Sequence, residues 1–176
     1  PALDRTLPNV TSSATTPIVT LRDQPCPGDT EAVRDIISSS GFFHDHEIDV
    51  AIELVRDRLD RGSKSDYRFV FADLDAKTVG YTCFGAIACT VGSFDLYWIA
   101  VHEACRAQGL GRRLLDETEA RIASSGGRKI YIETSARPLY DPTRRFYLAC
   151  GYKEEAHLAD FYAPGDGKII YVKTIG

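Results

Sequence analysis

The sequence predicts an α/β domain of the α+β kind, a mixed and mainly antiparallel sheet of about seven strands flanked by about four helices. Three observations carry that expectation. Apolar residues recur at helical spacing in four stretches; three consecutive central runs are β-branched and aromatic; and a strand, helix, strand unit precedes a closing hairpin.

Residues 1–17 are rich in Pro, Ser and Thr without apolar periodicity and read as a flexible leader, leaving 18–176 as a single domain, as a length of 176 residues suggests. A short strand near Ile18 to Leu21 comes first. Asp29 or Thr30 then offers an N-cap to a helix with the stripe Val33, Ile36 and Ile37 and a stop at Gly41. Ile48, Ile52, Val55 and Leu59 recur at the spacing of a second helix, which Gly62 ends. The period then shortens to two. Residues 67–72, 78–89 and 94–101 read as antiparallel strands separated by turns over 73–77 and 90–93.

From Gly109 to about Ser125 the helical period returns, with Leu110, Leu114, Leu115 and Ile122 facing inward and Gly126-Gly127 closing the helix before a strand over 129–134. A parallel strand pair follows from that order. Asp141-Pro142 opens a fourth helix in cap-then-proline order, and Gly151 stands where a left-handed C-cap glycine belongs. Strands over 152–159 and 168–174 form a hairpin around a loop over 161–167.

Composition narrows the function classes. With 21 Lys and Arg against 25 Asp and Glu, the net charge is -4, so neither nucleic acid nor a membrane surface is an expected partner and any anion site must be local. No apolar run reaches the roughly 20 residues that span a bilayer. Cys26, Cys83, Cys89, Cys105 and Cys150 form an odd set without a CxxC pair, which speaks against disulfides or structural zinc and for free thiols in a reducing cytoplasm. His44 and His46 alternate in a turn between helices, a pattern that specifies no metal site, and no metal is expected.

Chemistry concentrates where the strand ending in Ile99-Ala100-Val101 passes through a short loop into Arg106-Ala107-Gln108-Gly109-Leu110-Gly111-Arg112 and a helix. Two glycines at a helix start cost about 1 kcal/mol each relative to alanine, and close approach of a ligand to the backbone supplies a reason for them. Free amides, the positive end of the helix dipole and Arg106, Arg112 and Arg113 would together hold a diphosphate. Glycines that merely permit tight packing are the plainer alternative. A P-loop is absent, because no GxxxxGK[ST] occurs. A dinucleotide fingerprint fits less well, since Leu114 stands at its third glycine and too little chain follows for a doubly wound sheet.

Arg106-x-x-Gly109-x-Gly111 resembles the [Q/R]xxGx[G/A] signature of the GNAT superfamily of N-acetyltransferases, and Phe146-Tyr147-Leu148-Ala149-Cys150-Gly151-Tyr152 resembles the family's FYxxxGF segment. The resemblance covers roughly residues 69–174 in matching element order. It implies an acetyl-CoA-dependent N-acetyltransferase, with the 106–112 loop on the pyrophosphate and the backbone of Ile99, Ala100 and Val101 beside the pantetheine arm. It also maps the family's helix tyrosine onto Tyr147, as general acid toward the departing thiolate. Homodimerisation is implied by analogy alone.

The acceptor amine must shed a proton before it attacks. For a lysine-like amine with pKa about 10.4 that costs about 4 to 5 kcal/mol at pH 7, so a base is useful. Glu133 at a strand end is the favoured candidate; Asp95 and Tyr97 are others, expected by alternation on the same strand face as Ile99 and Val101. Phe42, Phe43, Phe161 and Tyr162 are expected to wall an acceptor pocket. The acceptor would be a small-molecule or peptide amine. The same features fit an acyl-CoA-binding regulatory module without catalysis, or a transferase for another acyl group or a protein N-terminus.

Overall fold

The computed structural model describes residues 18–175; the leader expected over residues 1–17 lies outside the described residues. Seven strands and four helices form among them in the predicted order: β1 (Val19–Arg22), α1 (Asp29–Ser39), α2 (Asp45–Arg61), β2 (Arg68–Leu74), β3 (Lys77–Ala86), β4 (Ser93–Val101), α3 (Leu110–Ser124), β5 (Lys129–Ser135), α4 (Asp141–Ala149), β6 (Lys153–Ala163) and β7 (Asp166–Thr174). The sheet order is β1-β2-β3-β4-β5-β7-β6. The β4–β5 pair is parallel and every other neighbouring pair antiparallel.

Alternation along the strands divides the core in two. Phe69 and Phe71 of β2, with Tyr81 and Cys83 of β3, face the Val33, Ile36 and Ile37 stripe of α1 and the Ile48, Ile52 and Val55 stripe of α2. Val70, Ala72 and Phe84 face the other way, with Ile130 and Ile132 of β5, onto Leu114, Leu115 and Ile122 of α3 and Tyr147 of α4. Each fully buried aliphatic side chain contributes about 2 kcal/mol.

Four boundaries differ from expectation. Asp29 is the first residue of α1 rather than its N-cap, which is Gly28. Its carboxylate is buried and accepts from Arg22 Nη1 at 2.8 Å and Nη2 at 2.6 Å, and from the Cys26 N–H at 2.7 Å. An ion partner outside the helix has therefore replaced a local cap. Similarly, Asp141 lies in the first turn of α4, after the N-cap Tyr140. β3 stops at Ala86, three residues short of Cys89, because Cys89 is left-handed at φ 62° inside the following turn. The loop expected over 161–167 is mostly strand: β6 runs to Ala163, pairs with Asp166, and turns through Pro164 and Gly165 at φ 80°, the residue order of a type II turn.

Asp29 gives the fold a measurable acid sensitivity. Burial alone would raise its pKa, but the Arg22 hydrogen bonds and the Cys26 N–H outweigh burial and hold it below the ordinary carboxylate value. A folded-state pKa below the unfolded one stabilises the protein above about pH 4, and that stability is lost as pH falls through the folded value. Asp29→Ala should cost about 3 kcal/mol at neutral pH, the scale for breaking a buried ion pair, and should flatten the pH dependence of urea unfolding below pH 4. An unchanged urea midpoint would remove the pair from the stability of the fold.

Candidate active site

β4 and β5 stay together for three residues: Ser93, Phe94 and Asp95 pair with Lys129, Ile130 and Tyr131. Beyond them the strands part. β4 continues against β3 as far as Val101 and β5 against β7 as far as Ser135, so each turns a bare edge to the gap. The His102 N–H donates to Val79 O at 2.8 Å, and Ala100 pairs with Tyr81. Peptide groups alternate along a strand, so those of Ile99 and Val101 face the gap while that of Ala100 faces β3. Of the three residues expected to offer backbone to a ligand, Ile99 and Val101 turn theirs to the gap and Ala100 does not.

The 106–112 loop stands at the end of this gap. Ala107 is left-handed at φ 60°, and Gly109, the N-cap of α3, at φ 76°. No side chain caps α3, and its first turn carries no acid, whereas α1, α2 and α4 each begin with one. The first internal helical bond is from the Arg113 N–H to Gly109 O at 3.1 Å, which leaves the amides of Leu110, Gly111 and Arg112 without helical partners. A Cβ at Gly109 would meet no atom within 4 Å, so its backbone angle demands the glycine. A Cβ at Gly111 would touch the Phe146 ring at an ordinary 3.7 Å, so alanine would fit there.

The other residues of the loop divide. The Leu110 side chain is buried in the core and only its amide serves the site. Gln108 is exposed. Arg112 turns along its own helix to Asp116, Nε to Oδ1 2.7 Å. Arg106 turns back over the gap, donating from Nε to Val101 O at 3.3 Å, with its guanidinium carbon 5.7 Å from the centre of the Phe42 ring.

On the α3 and α4 face, Tyr147 packs against Tyr152 and Tyr171, ring centres 6.0 Å away in each case. Burial pushes its phenol well above the ordinary value, so it carries its proton throughout the neutral range. Nearby in sequence on β5, beyond the last β4 partner, the Thr134 hydroxyl is buried without a hydrogen-bond partner among the described residues. An orphaned buried hydroxyl costs about 1–3 kcal/mol.

The opposite face holds the acids. β4 contains a bulge: Cys83 pairs with Trp98 and Phe84 with Leu96, leaving Tyr97 unpaired. The extra residue reverses parity, so Phe94 and Leu96 share a face with Ile99 and Val101, while Asp95 lies on the α1 and α2 face. This corrects the expectation that Asp95 and Tyr97 share the face of Ile99 and Val101. Glu133 follows the buried Ile132 and shares the face of Asp95. Lys168 Nζ sits 2.6 Å from Glu133 Oε2 and 3.6 Å from the centre of the Phe161 ring, with Tyr162 at 5.8 Å. Asp95 keeps no ion-pair partner among the described residues. Burial, then the charge of Glu133, raises its pKa, and the charge of Lys168 offsets this only in part. Burial pushes Tyr97 up to about 12, too high for a base near neutrality.

Phe42, Phe161 and Tyr162 are exposed, and Phe43 packs on Trp98 at 5.4 Å between ring centres. His44 starts α2 and its N–H donates to Glu47 at 2.8 Å, a helix-start role. Lys168 and Thr134 were not singled out from sequence, since neither lies in a motif. The bulge did leave a trace: the spacing of two between Phe94 and Leu96, and between Ile99 and Val101, becomes three between Leu96 and Ile99.

A sheet split at its parallel pair, an uncapped helix start at the end of the split and ionisable groups on both faces form the scaffold of an acetyltransferase. The acetyltransferase (GNAT) domain model matches residues 65–154, and the chain belongs to that family. Among solved structures, a candidate GNAT acetyltransferase from Desulfovibrio desulfuricans superposes with a TM-score of 0.89 at 45% identity, over 90% of this chain and all of that one. The ribosomal-protein-S18-alanine N-acetyltransferase from Escherichia coli gives 0.70 at 17% identity, over 90% of this chain and 95% of the other. An aminoglycoside 6'-N-acetyltransferase complexed with coenzyme A gives 0.70 at 20% identity, over 89% and 96%. These last two share the fold. No curated protein matches the sequence. No helix among the described residues is long and apolar enough to cross a membrane.

Proposed function

We propose that this protein transfers an acetyl group from acetyl-CoA to a primary amine by direct attack on the thioester. The observation that carries the reading is the division of chemistry across the split: a proton-bearing phenol, Tyr147, on one face and an unpaired carboxylate, Asp95, with Glu133 on the other. The amides at the start of α3 and Arg106 would hold the diphosphate, and the edge of Ile99 and Val101 would pair with the pantetheine arm. Coenzyme A supplies the activated acyl group. The protein supplies position and protons.

The acceptor approaches from the carboxylate face as an ammonium ion, attracted by the uncompensated charge of Asp95. Asp95 takes one proton from the ammonium, the neutral amine nitrogen forms the C–N bond at the thioester carbon, and the C–S bond breaks with its electron pair passing to sulfur, where the Tyr147 O–H stabilises the thiolate. The second proton of the nitrogen then passes to that thiolate, leaving the amide and the free thiol of coenzyme A. Among the candidates, Glu133 was favoured from its strand-end position. Its carboxylate is already engaged by Lys168 at 2.6 Å, whereas Asp95 has no ion-pair partner among the described residues, so Asp95 takes the proton and Glu133 tunes it. A phenol near 10 donating to a thiolate of conjugate acid near 8.5 is uphill in water, but a site that desolvates both raises both, and a hydrogen bond to the developing charge is itself stabilising.

Calorimetric titration with coenzyme A tests the reading. Micromolar affinity is expected, Gly111→Ala should retain it, and Gly109→Val, which forces a β-branched residue into the left-handed N-cap, should lose at least about tenfold. Absence of binding at millimolar coenzyme A would overturn the function.

A further inference from the structure

β6 and β7 pair at Leu158 with Lys168 and next at Ala163 with Asp166. Between those pairs β6 takes five steps, 158 to 163, against two on β7, 168 to 166, so the edge strand bulges by three residues. Asp160 stands in the left-handed region at φ 52° inside the bulge, and its Oδ1 accepts from the Gly165 N–H at 2.6 Å, which ties the bulge to the turn. Phe161 and Tyr162 follow, edge to face with ring centres 5.0 Å apart. A regular register would set Phe161 opposite Gly165 in the turn. The bulge instead brings its ring centre to 3.6 Å from Lys168 Nζ.

That ring bears on the charges of the acceptor face. In the sheet order β4-β5-β7-β6, Asp95, Glu133, Lys168 and Phe161 come from four successive strands. Two carboxylates therefore come from one side of Lys168 and the ring from the other. The lysine side chain is 11% exposed, and its ammonium lies 2.6 Å from Glu133 Oε2, while Asp95 has no ion-pair partner among the described residues. β7 and β4 are two strand spacings apart, about 10 Å, a span that a lysine and an aspartate side chain together can close. A compact ammonium on a flexible stem moves toward a second carboxylate unless another contact holds it, and the negative face of an aromatic ring is such a contact. The titratable groups that bear on Asp95 are Glu133 from β5, Lys168 from β7 and Tyr97 from its own strand, and Tyr97 keeps its proton near neutrality. Of these three, Lys168 is the cation, and its reach lets it serve either carboxylate.

We propose that Phe161 is a positioning residue acting through Lys168: its ring face holds the ammonium at Glu133 and away from Asp95, which keeps Asp95 free for the proton of the acceptor amine. The bulge in β6 is then part of the acceptor site, because it alone sets the ring over the lysine. The inference rests on the reading of Asp95 as the base and goes beyond it by naming what keeps that base unpaired.

Carbon-13 NMR titration of the Asp95 carboxyl tests it in the protein alone, on the wild type, Phe161→Leu and Phe161→Tyr, each with and without Lys168→Met. An opposite charge brought closer favours the carboxylate, so Phe161→Leu, which keeps an apolar side chain but no ring face, should lower the Asp95 midpoint by about one pH unit. Phe161→Tyr keeps the ring face and should stay within about 0.3 unit of the wild type. In the Lys168→Met background Phe161→Leu should add no shift. The acidic limb of kcat/KM for an accepted amine should follow the NMR midpoint, and the plateau of Phe161→Leu should fall about three- to tenfold with coenzyme A affinity unchanged. An Asp95 midpoint unmoved by Phe161→Leu, an equal shift in the Lys168→Met background, or a Phe161→Tyr protein that behaves like the leucine variant would overturn the proposal. Midpoints that shift as stated while Asp95→Asn retains full transfer would instead overturn the reading of Asp95 as the base.

Discussion

Tyr147→Phe should lower kcat by about 10²- to 10³-fold while leaving coenzyme A affinity within about twofold. The substitution removes one oxygen from a ring that stays packed between Tyr152 and Tyr171, so α4 and the second core lose little. On the proposed mechanism, what disappears is the O–H that would face charge developing on the departing sulfur, an interaction made in the transition state and not in the bound ground state. Because burial holds the phenol protonated well above neutrality, the wild-type rate should show no falling limb from Tyr147 up to pH 9. Circular dichroism, calorimetry and single-turnover transfer to an accepted amine separate folding, binding and chemistry. Unchanged single-turnover rates would remove Tyr147 from the mechanism.

Asp95→Asn should cost about 10²-fold in kcat/KM, and the two charged groups around it, Glu133 and Lys168, should tune the pH profile in opposite directions. Activity requires the base deprotonated, so the acidic limb follows its pKa. The Glu133 charge raises that pKa and the Lys168 charge lowers it. Glu133→Gln should therefore move the limb to lower pH with much of the activity retained, and Lys168→Met should move it to higher pH. If Glu133→Gln abolishes transfer and Asp95→Asn does not, the proton goes to Glu133. The measurement is a set of kcat/KM profiles at saturating acetyl-CoA.

Much of the fold was legible because period and punctuation agree. Gly41, Gly126 and Gly151 end their helices at positive φ as the chain pattern requires, and the helical stripes of α1, α2 and α3 are the buried faces. Misreadings came where a distant partner outweighed a local signal. Asp29 is a sound N-cap residue by type, yet a bidentate arginine from β1 gains more from its carboxylate than the helix start would. Phe161 and Tyr162 sit among Pro, Gly and Asp, which resemble loop, yet pairing along β7 extends the strand to Ala163.

The site divides the same way. Sequence patterning determined the glycine-containing helix start after the 106–112 loop, which depends on local spacing, whereas Tyr147 was picked out by the resemblance of its segment to the family's FYxxxGF pattern and lies buried on α4. Only the tertiary structure decided which carboxylate is free. One inserted residue at Tyr97 turns Asp95 to the α1 and α2 face, and a lysine contributed by β7 pairs with Glu133 on β5. A bulge is a relation between two strands and an ion pair a relation between two segments far apart in the chain, so neither energy belongs to any one stretch of sequence.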